Sequence, residues 1–292
     1  MYEDITPIHC LEGVLVKRED LACWSSLEHP SGSKVRQYQQ MIANRPIPED
    51  IDFINLDAPS IPPMLVGCSA NSCQQVYVAS AAKLNQTNGI IYVPKRQKKT
   101  DATKYCEQLG AEVNEIKPGY LSVIRKHARQ RSVDLKEVIG WDRKLAVLDT
   151  AKQCENIPDG IKRIIVPTGS GLTAAGVLIG TWGRGIEIVA VLTSPMADRA
   201  SIVKLASRYC PQVDLLGLGK LEVILPTTPY DKHLIARLPD GTPLDPFYAA
   251  KAWHLAEEGD LFWPPGLRPI MAMPDDCREA FIDWKGPNDE SV

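Results

Sequence analysis

The sequence predicts an α/β protein built on mainly parallel sheets, and two features carry that prediction. Short β-branched runs alternate with helical stretches of about ten residues, the pattern of strands that cross over through helices. One of those runs also leads through Pro167-Thr168-Gly169-Ser170-Gly171 into a helix of small residues. Ligands of open parallel sheets bind outside the C-terminal ends of strands, so the loops after these runs are where chemistry is expected.

Taken in order, residues 13–16 read as the first buried strand. Residues 76–84, rich in Ala and Ser, read as a helix that packs closely on a sheet. A strand at 89–93 follows, and then a helix at 100–109 that ends at Gly110, a residue suited to a helix C-terminal cap. In the helix at 120–131, Leu121, Ile124 and Ala128 fall on one face and Arg125, Lys126 and Arg129 on the other. The strand at 161–166, the helix at 171–180, the strand at 186–192 and the helix at 197–208 complete the pattern.

A chain of 292 residues has room for about two domains. No apolar run approaches the roughly 18 residues of a membrane helix, and the acidic start Met1-Tyr2-Glu3-Asp4 lacks an apolar leader. Eight cysteines are scattered without a C-x-x-C pair, so reduced thiols in a cytoplasmic protein are expected, with Cys68 and Cys73 as small buried residues. The histidines form no ligand pair at helical spacing, and no metal site is expected.

A net charge of −3 argues against a protein that coats nucleic acid, but it hides an asymmetry. Residues 91–131 hold ten Lys or Arg against four acids, a local balance of +6 against −9 for the rest. The plain reading is a solvated helical face. The sharper one is an electrostatic footprint for a nucleic acid through residues 95–99 and 125–131.

Two loops carry candidate chemistry. In Thr168-Gly169-Ser170-Gly171-Leu172-Thr173, glycines let backbone amides approach an anion, hydroxyls add donors, and the helix that follows presents its positive end. The loop lacks the lysine of a Walker motif and the spacing of a dinucleotide fingerprint, which favours a phosphate over a nucleotide. Lys34, after Ser31-Gly32-Ser33, is the residue type that forms Schiff bases with carbonyl cofactors when its pKa is lowered near a phosphate site.

Five segments together resemble the fold type II pyridoxal-phosphate enzymes, the tryptophan synthase β-like group. The nearest branch is that of 1-aminocyclopropane-1-carboxylate deaminase and D-cysteine desulfhydrase. The segments are Lys17-Arg18-Glu19-Asp20-Leu21, Gly32-Ser33-Lys34-Val35-Arg36, Ser69-Ala70-Asn71-Ser72-Cys73-Gln74-Gln75, Gly169-Ser170-Gly171-Leu172-Thr173, and Asp245-Pro246-Phe247-Tyr248-Ala249-Ala250-Lys251-Ala252. They keep the family's order and span nearly the whole chain.

The resemblance implies two three-layer α/β/α domains with mainly parallel sheets. Residues 1–40 and 155–292 would form a large cofactor-binding domain, and 41–154 a smaller substrate-side domain. It implies pyridoxal 5'-phosphate as cofactor, a small amino-acid substrate and a homodimer. Lys34 would hold the cofactor and shuttle the substrate α-proton, and Asn71 would contact the ring's 3-hydroxyl oxygen. Thr168, Gly169, Ser170, Gly171, Leu172 and Thr173 would bind the phosphate. Ser69, Ser72 and Gln74 would face the substrate carboxylate, and Tyr248 would line the substrate side of the ring as a catalytic group.

Some positions depart from the family pattern. Leu172 replaces a glycine of the phosphate loop, and the asparagine loop is offset by one residue, which makes Ser72 a rival of Asn71. Trp263-Pro264-Pro265-Gly266 places Pro264 where the family has a hydroxyl partner for the pyridine nitrogen. The branch's second active-site tyrosine falls around Leu261-Phe262, where there is no phenol. The expected function is therefore a pyridoxal-phosphate lyase or deaminase acting at an amino-acid α-carbon. Two alternatives stand beside it: an enzyme, such as a decarboxylase, for an amino-acid-modified nucleobase in phage DNA hypermodification, and a cofactor-binding relative without turnover.

Overall fold

The computed structural model describes residues 5–24, 29–43, 61–117, 119–135, 137–213 and 218–286. Its strands form two main sheets. The larger contains β1 (Ile8–Leu11), β2 (Val14–Lys17), β7 (Arg163–Thr168), β8 (Glu187–Leu192), β9 (Leu221–Ile224) and β10 (Leu261–Phe262). Its order is β1-β2-β10-β7-β8-β9, all parallel except the edge pair β1/β2. The smaller sheet is parallel, with β4 (Met64–Gly67), β5 (Gly89–Pro94) and β6 (Glu112–Ile116) in that order. A short antiparallel pair, β3 (Ser31–Gly32) with β11 (Gly266–Leu267), lies apart from both.

Alternation along the strands divides the core. Ile164, Val166, Ile188 and Ala190 face α5 (Arg143–Lys152), α6 (Leu172–Gly180) and α7 (Arg199–Ser207). Ile165, Val189, Val191 and Phe262 face the segment 234–256, through Leu238, Leu244 and Ala249. In the smaller sheet, Met64, Val66, Ile91 and Val93 pack on α1 (Ser33–Ala43), α2 (Gln74–Leu84) and α3 (Asp101–Gln108). Leu65 and Ile90 pack on α4 (Leu121–Leu135). Among the described residues, no helix is long and apolar enough to cross a membrane.

The predicted strands and helices are present, with ends displaced by a few residues. Thr100 caps α3, its hydroxyl accepting from the Thr103 amide at 3.3 Å. On α4, Ile124 and Ala128 are buried while Arg125, Lys126 and Arg129 are exposed, as the periodicity requires. Elements that pattern reading passed over include α1, α5, β1, β3, β4, β6, β9, β10, β11 and the short helix Asp275–Ala280. Helix α1 is hidden because its inner face carries Arg36 and Gln37, which are polar yet buried. Strand β6, Glu-Val-Asn-Glu-Ile, is an edge strand with no fully buried residue, so it lacks an apolar signature. All eight cysteines are free thiols, and Cys68 and Cys73 are buried as expected.

The charged segment Lys17–Asp20 is also buried, and each cation in it has fixed partners. Lys17 Nζ donates to Thr6 O (2.8 Å), Gln153 O (2.8 Å) and Asn156 Oδ1 (2.7 Å). Burial lowers its pKa to about 8. Arg18 pairs with Asp20 and Asp240, each at 2.7 Å. Glu19 accepts from Arg36 Nη1 at 3.0 Å, and Arg36 forks onto Asp149 through Nε and Nη2, both at 2.9 Å. Gln37 Nε2 adds a bond to Asp149 Oδ2 at 3.0 Å. This cluster ties the first turn of α1 to α5 and to the segment after β2. Asp149→Ala leaves Arg36 buried with half its counter-charge, and about 3–5 kcal/mol of stability should be lost. Urea unfolding checks this, and a midpoint unchanged from wild type would contradict it.

Candidate active site

The C-terminal ends of β4 and β7, the start of α1 and the loop after β8 converge on a cavity of about 520 Å³. Lys34 lines it from the first turn of α1. The lysine follows β3, where Gly32 (φ +118°) and Gly266 (φ +139°) cross so closely that a Cβ on either would strike the other's backbone. The crossing brings Pro265 O to the Ser33 amide and hydroxyl, each at 3.2 Å, and so fixes the start of α1. Lys34 Nζ lies 5.6 Å from the Tyr77 ring centroid and 5.7 Å from that of Trp141. Desolvation lowers its pKa, with Cys73 and Asp245 opposing in part. A fraction of the amine is therefore neutral at a lower pH than for an exposed lysine.

The Gly-rich loop lines the same cavity as this amine. All six residues from Thr168 to Thr173 line it. Gly171 caps α6 in the left-handed region (φ +84°), a turn that suits glycine and aims the first-turn amides outward. The Thr168 hydroxyl is turned back onto Val166 O at 2.9 Å, which leaves Ser170 and Thr173 as the loop's hydroxyl donors. Leu172 packs against the core beneath α6, so its side chain is accommodated there. Tyr248 lines the cavity beside Gly169, where an added Cβ would lie 3.0 Å from the tyrosine Cε1. Burial raises the Tyr248 phenol well above its ordinary range, so it is a neutral hydroxyl.

The loop after β4 supplies Ser69, Ser72 and Gln74 to the lining. Asn71 is not among the lining residues, and its carbonyl accepts from Arg268 Nη2 at 3.2 Å. The one-residue offset legible in the sequence thus brings Ser72 to the cavity where Asn71 was expected. Gln75 Nε2 and the Thr100 hydroxyl both donate to Ala70 O, at 2.7 and 2.8 Å, and hold this loop. Ser69 Oγ lies 2.6 Å from the Tyr230 hydroxyl.

Several lining residues were passed over in the sequence. Ser194 is buried, and its hydroxyl has no hydrogen-bond partner among the described residues. It lies in the loop after β8, next to the Gly-rich loop, since the Thr193 amide donates to Thr168 O at 2.9 Å. Its place after a parallel strand was the available signal. Asp245 lines the cavity as a carboxylate locked onto buried Arg268 at 2.8 and 3.2 Å. Of the segment 263–266, only Pro265 and Gly266 line the cavity, and neither side chain can donate or accept a hydrogen bond. Leu261 and Phe262 are fully buried in a central strand. Away from the cavity, His233, Asp276 and Cys277 come together, but burial raises the Cys277 thiol to about 12 and His233 is already bonded to Asp276 at 2.8 Å.

No protein-family description matches the chain, and no curated protein sequence does. Solved structures do match its fold. A homologue of ACC deaminase is similar at a TM-score of 0.63 and 18% identity, over 89% of each chain. Diaminopropionate ammonia-lyase from Escherichia coli is similar at 0.56 and 14% identity, over 97% of this chain and 88% of that one. Threonine deaminase isoform 2 from Solanum lycopersicum is similar at 0.54 and 15% identity, over 96% and 82%. At these identities the likeness concerns architecture, and it agrees with the parallel sheets described above: the chain has fold type II, the fold of the tryptophan synthase β-like group.

Proposed function

We propose that the protein is a pyridoxal-phosphate-dependent enzyme, of lyase or deaminase type, acting at the α-carbon of an amino-acid substrate, with Lys34 as its Schiff-base lysine. The observation that carries this reading is the convergence of a desolvated lysine amine and an anion-binding helix start on one cavity. The lining fits the cofactor. The first-turn amides of α6, the hydroxyls of Ser170 and Thr173 and the unpartnered hydroxyl of Ser194 match a phosphate, while Tyr77 and Tyr248 give aromatic walls. The similar solved structures named as deaminases and an ammonia-lyase support the reaction class. The two sheets are read as the cores of two units, residues 1–40 with 155–292 and residues 41–154, with α5 reaching from the second onto the core of the first.

When bound, pyridoxal phosphate supplies an electron sink for charge that develops at the substrate α-carbon. The chain supplies position and proton transfer. Lys34 Nζ accepts and returns the α-proton, helped by desolvation that favours its neutral form. Ser69, Ser72 and Gln74 hold the substrate carboxylate, and Ser72 is the loop residue available to the ring oxygen in place of Asn71. Tyr248 packs beside Gly169 and offers a neutral hydroxyl. Of the segment 263–266, the cavity-lining residues Pro265 and Gly266 carry no side-chain group that would donate to the pyridine nitrogen of a bound cofactor.

Wild-type protein incubated with pyridoxal phosphate and a panel of amino acids should release keto acid and ammonia from at least one of them. Lys34→Ala should abolish that release. Turnover retained in this variant would remove Lys34 from the mechanism, and silence of the wild type across the panel would remove the lyase reading. The pH dependence has a definite sign. The neutral Lys34 amine gains population as pH rises through its lowered pKa, so cofactor uptake by the apoprotein should accelerate with pH and level off below 10.5, the ordinary lysine value. Stopped-flow absorbance checks this, and a rate still climbing at that pH would contradict it.

A further inference from the structure

Three arginines line the same cavity as Lys34: Arg125 and Arg129 from α4, and Arg143 from the first turn of α5. All three are exposed, which places them at the cavity's mouth. They make no ion pair with a carboxylate among the described residues. The acids of their own helices are engaged elsewhere. Asp134 accepts from Gln130 at 3.1 Å, Asp142 caps α5 by accepting from the amides of Lys144 and Leu145, and Asp149 is bound by Arg36 and Gln37.

The arrangement is unfavourable for the protein alone. Arg125 and Arg129 are one helical turn apart, where like charges repel. Arg143 occupies the positive end of a ten-residue helix, where the backbone dipole disfavours a cation. Partial burial lowers the Arg125 pKa, and the charges of Arg143 and Arg129 push it further in the same direction. A multi-oxygen anion held among three forked guanidinium groups relieves all of these terms at once. The Lys95–Lys99 run does not line the cavity, and Lys99 is taken up by Glu107 and Glu115.

We propose that Arg125, Arg129 and Arg143 form a second anion subsite at the cavity mouth, which binds a phosphate-type oxyanion carried by the substrate at a distance from its reacting amine. The assignment rests on the reading of the cavity as an amino-acid site and narrows its substrate class to amino acids that bear a phosphate. That phosphate belongs either to a phosphorylated small molecule or to the backbone of a nucleic acid that carries the amino group. The cofactor's own phosphate is assigned to the first turn of α6 and Ser194.

The test uses the holoprotein and two probes that differ in one group, L-serine and O-phospho-L-serine, titrated by visible absorbance. Wild type should bind the phosphorylated probe at least about tenfold more tightly, and an R125Q/R129Q double variant and R143Q should each lose most of that preference. Cofactor uptake should be retained in these variants. Equal affinity for the two probes in wild type, or a preference that survives in the variants, overturns the subsite. So does loss of cofactor uptake in the variants, which would assign the arginines to the cofactor phosphate. A single-stranded oligonucleotide that displaces the phosphorylated probe from wild type marks a nucleic-acid backbone as the source, and failure to displace it marks a small molecule. If the chain takes up no pyridoxal phosphate, the catalytic reading fails by itself. The subsite is then read from inorganic phosphate, whose thermal stabilisation of the cofactor-free protein should fall in R125Q/R129Q; stabilisation unchanged overturns it.

Discussion

The buried cluster of Arg36, Glu19 and Asp149 is the constraint on which the rest depends. It joins three segments far apart in sequence: the turn after β2, the first turn of α1 and the middle of α5. Lys34 lies two residues before Arg36, so the ion cluster sets where the lysine's helix begins and which way it faces. The Gly32/Gly266 crossing fixes the same turn from the other side. A buried ion cluster is a poor source of net stability but an effective source of register, because breaking it leaves an uncompensated charge. Here register is what the cavity requires.

Much of this was legible in the sequence, and the physical reasons for success and failure differ by residue. The strands at 163–168 and 187–192 carry unbroken apolar runs because both faces of a parallel sheet are covered. The Gly-rich loop was visible because a strand, a turn and a helix start must follow one another within a few residues. Helix α1 was not visible, since a face of Arg36 and Gln37 reads as exposed until Asp149, more than a hundred residues later, is placed against it. Ser194 and Arg143 were missed for the same reason. Each belongs to the cavity only through packing between distant elements, and neither residue type signals that by itself. Asn71 was legible as a loop residue, but its backbone carbonyl accepts from Arg268, which no local pattern connects to it.

The positive start of α6, the hydroxyls of Ser170, Thr173 and Ser194 and the exposed arginines of α4 and α5 all line one cavity. Asp245 is the cavity's buried acidic side chain near Lys34, and Arg268 Nε donates to it at 2.8 Å. Around the lysine, the aromatic rings of Tyr77 and Trp141 exclude water and supply the desolvation that favours a neutral amine. The chemistry proposed for the site thus follows from burial first and from charge second.

On the proposed reading, Lys34 is the one lysine that the fold presents to the cofactor. Borohydride reduction of the protein with pyridoxal phosphate, followed by peptide mapping, tests it most directly. One stoichiometric pyridoxyl group is expected, on the peptide that contains Lys34. A stoichiometric label on Lys17, on Lys251 or on the Lys95–Lys99 run, or the same label persisting in Lys34→Ala, would contradict it.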